Sequence, residues 1–138
     1  MESSKKSLAT LLLRQAAVQN RLRELEERKT QILLKGSIEE LNEILNAEQP
    51  FVMQSFNLER QRTDLQEKLG IEKSDMQRFL EKHEETELIE AFLQMKDAVI
   101  KLQKAGELNR RVLQARIDTK KNLMRIFGLN EDVLTYSK

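Results

Sequence analysis

Apolar side chains recur every three or four positions through most of this chain, the spacing of one face of an α-helix. The longest run of the pattern lies between residues 88 and 129. Its first half carries one stripe, Leu88, Phe92, Met95, Val99 and Leu102. At about 100° per residue these fall on a single side. After Gly106 the pattern divides. Leu113, Ile117 and Met124 stay in line with the first stripe, and Leu102, Leu113 and Met124 recur at eleven residues, close to helical phase. Leu108, Val112, Ala115 and Ile126 lie well over a quarter-turn away. Two apolar sides ask for two partners, the rest of the chain for one stripe and another protein for the second.

The same spacing predicts a first helix over residues 4–34. Leu8, Leu11, Gln15, Val18, Leu22, Leu25, Lys29 and Ile32 form its heptad seam, with Gln15 and Lys29 as polar interruptions that fix register or lie at its edge. Gly36 ends this helix. Ser37 caps the next, with Glu40 completing a capping box. So tight a connection forces an antiparallel hairpin. The second helix is expected to reach residue 69, with Leu41, Ile44, Phe51, Leu58, Leu65 and Leu69 on its buried side. Glu48, Ser55 and Arg62 interrupt that side. Pro50 removes one backbone bond inside it, which predicts a kink and no chain reversal. Gly70 stops the helix, and Ser74 with Gln77 starts a short one carrying Met76, Phe79 and Leu80 to residue 82. The acidic stretch from His83 to Glu87 leads into the long helix.

The predicted fold is therefore all-α, an elongated antiparallel helical bundle of three long helices plus one short helix, coiled-coil-like. Residues 1–128 form the bundle and 129–138 a flexible C-terminal tail, in which Leu129, Val133, Leu134 and Tyr136 sit among polar neighbours.

Composition agrees with this picture. At 138 residues the chain suffices for one domain, and 34% charged residues with 4% aromatics is the make-up of long helices. A net charge of +1 provides no global field for nucleic acid or anionic lipid. With no cysteine there is no disulfide, thiolate nucleophile or sulfur metal site. The run from Leu8 to Leu13 behind Lys5 and Lys6 is too short for a signal peptide and passes into Arg14 as amphipathic helix. No stretch approaches the ~20 apolar residues of a membrane span. The expected location is the cytoplasm.

Chemistry-bearing groups do not converge. His83 is the one histidine, and Leu80 stands where a Glu-x-x-His metal motif needs its glutamate. An exposed linker histidine is the simpler reading, and neither metal nor cofactor is expected. The four glycines stand apart, so none builds a phosphate loop. Acids alternate with bases as on solvated helices. The chain is not expected to be an enzyme. Between Lys101 and Phe127, eight cations face Glu107 and Asp118. Such a face suits phosphates, but base-stacking aromatics are missing, which favours a solvated face biased towards an acidic partner. A structural coiled-coil component and a nucleic-acid-binding module remain the two other classes.

The run from Ile32 through Lys35, Gly36, Ser37, Glu40 and Ile44 to Leu45, followed by Glu48 and Gln49, resembles the hairpin of FlgN-type flagellar export chaperones. The segment Leu108 to Leu113 and the late Thr135, Tyr136 and Ser137 are similar to that family's helical asparagine–leucine segment and terminal tyrosine. Arg110 and Arg111 depart from the pattern, since relatives often place a second asparagine there. The resemblance implies a binding protein that performs no reaction. It would hold the amphipathic terminal helices of the first and third hook-associated proteins before export. It would then deliver them to the flagellar export gate and its ATPase apparatus. The second stripe, Leu108, Val112, Ala115 and Ile126 with Phe127, becomes the expected client-binding surface. Leu134 and Tyr136 become the expected gate-docking residues. Nucleic acid is not an expected partner, and the protein is expected to be a monomer or homodimer.

Overall fold

The computed structural model describes the backbone of residues 2–71, 76–83 and 85–128. It contains α1 (Glu2–Lys35), α2 (Ile38–Lys68), α3 (Met76–His83) and α4 (Thr86–Ile126), with no strand among the described residues. No helix among these residues is long and apolar enough to cross a membrane. The expected start of the short helix at Ser74, the side chains of Gln77 and His83, and the tail with Leu129, Val133, Leu134 and Tyr136 lie outside the described residues.

The hairpin forms as the sequence predicts. Gly36 adopts a φ of +76°, which a side chain would strain. Its N–H donates to the Ile32 carbonyl at 2.9 Å. Ser37 is extended, and its hydroxyl accepts the Glu40 N–H at 3.3 Å, one arm of the capping box. At the far end of α2, Gly70 has a φ of +75°. The Gly70 N–H reaches the Glu67 carbonyl at 3.0 Å and the Ile71 N–H reaches that of Gln66 at 2.8 Å. This is a Schellman closure, and Ile71 completes it by burying its side chain. α2 runs through Pro50 without reversing.

Long-range bonds fix the directions. Gln19 donates to Ser55 and Lys29 to Glu48, so α2 descends along α1. Lys5 meets Glu85, Asn109 meets Glu26 and Arg116 meets Leu34, so α4 rises parallel to α1. The three long helices therefore run up, down and up. α1 is central and packs on both others, while α2 and α4 hardly approach one another.

One core cluster joins Leu8, Leu12, Ile71, Met76, Leu80, Leu88 and Ala91 at the α3 end, where α3 covers the bundle. A second joins Val18, Leu22 and Leu58 at mid-height, with Leu102 of α4 against it. Within α1, Leu12 and Leu33 are buried, while Leu11 and Ile32 of the expected seam are half-buried. α4 departs further from expectation. Of its first stripe Leu88 is buried, but Phe92, Met95, Val99 and Leu102 are half-buried flanks. The centre of the seam is Ala91, Ala98 and Ala105, seven residues apart, continued by Asn109. A methyl group at each contact lets the two helix axes come close.

Candidate functional site

Where the alanine seam ends, a polar cluster ties all three long helices. Lys29 bridges Glu26 of its own helix at 2.7 Å and Glu48 of α2 at 2.9 Å. Asn109 of α4 donates its amide to the Glu26 carboxylate at 2.6 Å and to the Glu26 carbonyl at 2.7 Å, and accepts from the Thr30 hydroxyl. Burial would by itself raise the Glu26 carboxyl, but the bonds from Lys29 and Asn109 outweigh it and hold the group below the ordinary glutamate range. Glu48 moves the other way: burial raises it, and its neighbour Glu26 adds to that against Lys29. Burial disfavours the Lys29 charge, yet the two carboxylates hold its ammonium above the ordinary lysine value. Lys29 is thus an interhelical tie, which accounts for its place on the seam.

Two turns further along, the Arg116 guanidinium donates to the Leu34 carbonyl at 3.0 Å and lies against Gly36. An added Cβ on Gly36 would stand 2.7 Å from Arg116. This contact marks the end of α1. The ten residues of α4 from Ile117 to Ile126 project about 15 Å beyond it.

On this part of α4 the apolar side chains are left uncovered. Leu108, Leu113, Ala115, Ile117 and Leu123 are exposed, Val112 is half-buried, and Ile126 and Phe127 keep 74% and 72% of their surface. Leu113 and Ile117, expected to face the bundle, do not, because α1 stops beside Arg116 and α2 stays away from α4. Met124 of the same stripe is buried.

At about 100° per residue the two stripes border one face. Ala105, Asn109 and Arg116 point along its midline towards α1. Leu108, Val112, Ala115 and Ile126 lie to one side, and Leu113, Ile117 and Met124 to the other. Once α1 ends, Leu123 and Phe127 fill the gap between them, with Lys120 the charge inside it. The two apolar sides read from the sequence are the margins of one broad face, covered below and, Met124 apart, open above. Leu34 and Ile38, both exposed, belong to the hairpin tip that Arg116 touches at the Leu34 carbonyl and Gly36. Those two and Leu123 are contributions that helical periodicity does not single out, because they lie off the seam or between the stripes.

Among the cations between Lys101 and Phe127, Lys101 pairs with Asp97 at 3.0 Å, and Arg110 and Arg111 pair with Glu107 at 2.6 and 3.5 Å. Among the described residues no group of three or more histidine, cysteine or acidic side chains is placed to hold a metal ion.

This arrangement leaves an uncovered apolar face on the last turns of α4. No curated protein and no solved structure matches the chain. A family model described as FlgN protein matches residues 1–138, the whole length. The chain thus belongs to the FlgN family of flagellar export chaperones.

Proposed function

We propose that this chaperone works in the cytoplasm and holds the amphipathic terminal helices of the first and third hook-associated proteins on the open face of α4. The observation that carries the reading is the run of uncovered apolar side chains from Leu108 to Phe127. Soluble monomers rarely leave so large an apolar patch without a use. A client helix laid there forms a helix-in-groove contact. Covering ~600 Å² of apolar surface yields on the order of 15 kcal/mol before ordering and association costs, so binding is useful and reversible. Masked in this way, the client cannot assemble early, and the complex is delivered to the export gate. Leu134 and Tyr136 are the residues proposed to dock it there.

Titration calorimetry with a hook-associated protein tests the first part. Ile126→Asp and Phe127→Asp are expected to weaken client binding at least tenfold while leaving the melting temperature unchanged, both side chains being exposed. Full client affinity in both variants would refute the placement. For the tail, Tyr136→Ala is expected to retain client affinity and lose binding to the cytosolic domain of the gate. Intact gate binding would remove Tyr136 from the docking role.

A further inference from the structure

On the flank of α4 that carries Leu108, a groove of about 370 Å³ runs between α1 and α4. Arg23, Glu27 and Thr30 of α1 line it together with Lys101, Lys104 and Leu108 of α4. Three cations there stand against one acid. Glu27 is already met by Arg23 at 3.0 Å, and Lys101 by Asp97 at 3.0 Å. Lys104 is exposed and forms no ion pair among the described residues. The groove is therefore short of negative charge.

Leu108 is also the first residue of the apolar margin that continues through Val112 and Ala115 to Ile126. From Leu108 to Ile126 is about 27 Å, the length of ~18 helical residues. A helix laid along that margin brings one of its ends to the cations. Cations stabilise the C-terminal end of a helix, where carbonyls are unpaired and the dipole is negative, and they disfavour the N-terminal end. A free terminal carboxylate adds a full charge and two acceptor oxygens.

We propose that this groove captures the C-terminal carboxylate of the client helix, which then lies antiparallel to α4 with its earlier turns on the open face. The inference rests on the open face as the seat of the client and adds polarity and register to it. Lys104 supplies the uncommitted charge, and Arg23 and Lys101 keep the field around it positive. The antiparallel sense also sets the positive N-terminal end of the client beside the carbonyl end of α4. An internal helix, or a terminal helix that presents its amino end, lacks the group this groove takes. The chaperone thereby selects C-terminal helices over both.

Titration calorimetry of the full chain provides the test, with a synthetic peptide of the last ~20 residues of a hook-associated protein, enough to span the face. The peptide is prepared as the free acid and as the terminal amide. Amidation is expected to weaken binding about tenfold, and this arm does not depend on any variant folding. Lys104→Ala is expected to weaken the acid by a similar factor and to leave the amide unchanged, so the two losses do not add. Arg23→Gln is expected to show a smaller loss of the same kind. An amide that binds as tightly as the acid would overturn the proposal. So would a Lys104→Ala loss equal in both forms, which would give the groove to an acidic side chain. The open face is scored separately by Phe127→Asp, which is expected to weaken both forms. An acid–amide difference that survives without any Phe127→Asp effect would remove the open face and keep the groove. A peptide that binds in neither form would remove both.

Discussion

The two halves of α4 have similar propensities and opposite surroundings. From Thr86 to Asn109 the helix lies against α1, and past Leu88 in its first turn its buried residues are small: Ala91, Ala98, Ala105 and Asn109. From Arg110 to Ile126 the large residues Leu113, Ile117, Leu123 and Ile126 are exposed, with Met124 the buried exception. Side-chain size is the reverse of what burial alone would select. In the first half the partner is already present and close, so a methyl suffices at the contact. In the second half the partner has to be recruited, and large apolar groups supply the area for it. Hydrophobicity along a helix therefore marks where contact is wanted, in this chain or in another.

The largest effects fall on the packed region. Leu25→Ala, at a side chain 1% exposed, is expected to lower unfolding stability by about 3 kcal/mol, and Ala98→Leu by about 1–3 kcal/mol through overpacking. The matched Leu113→Ala is expected to change it by less than about 0.5 kcal/mol. Chemical denaturation of the three variants checks this. A Leu113→Ala cost equal to that of Leu25→Ala would erase the distinction between the halves.

Next comes the tie between them. Lys29→Met leaves the Glu26 and Glu48 carboxylates facing without their cation and is expected to cost about 2 kcal/mol. Glu26→Gln is expected to cost more than Glu48→Gln, because the fold favours the ionised form of the first and the protonated form of the second. The pH dependence follows. Glu26 contributes stability above the ordinary glutamate range, lost as pH falls through its lowered pKa. Glu48 contributes below that range, and its share is lost as pH rises through its raised pKa. Lys29 contributes at and below the ordinary lysine value and loses this as pH rises through its raised pKa. The gap between wild type and Lys29→Met is accordingly expected to narrow at strongly alkaline pH, in thermal melts recorded across that range.

The smallest effect sits at the junction. An added Cβ at Gly106 meets no atom within 4 Å, so Gly106→Ala is expected to stabilise the protein by about 0.5–1 kcal/mol through helix propensity alone. A loss of stability on substitution would mean that the glycine packs against something in solution.

Much of the fold was legible because it rests on local rules. Gly36 with Ser37, and Gly70, announce their turns by residue type, and the connection between the first two forces their pairing. The alanine seam was not legible, since alanine carries too little hydrophobicity to stand out against Phe92, Met95 and Val99 beside it. The exposure of Leu113 and Ile117 was hidden for another reason. It depends on where α1 ends relative to α4, a tertiary fact that no periodicity within α4 contains. The polar interruptions Lys29 and Glu48 were visible singly, but their partnership, and the part Asn109 takes in it, needed three helices in register.

Amide hydrogen exchange on α4, with and without a hook-associated protein bound, tests the contrast most directly. At a total protein concentration low enough to keep the free chain monomeric, residues 110–126 are expected to exchange faster than residues 88–109. Client binding is expected to slow exchange in 110–126 and leave 88–109 nearly unchanged. Equal protection of both segments in the free protein, or client protection confined to 88–109, would contradict the account.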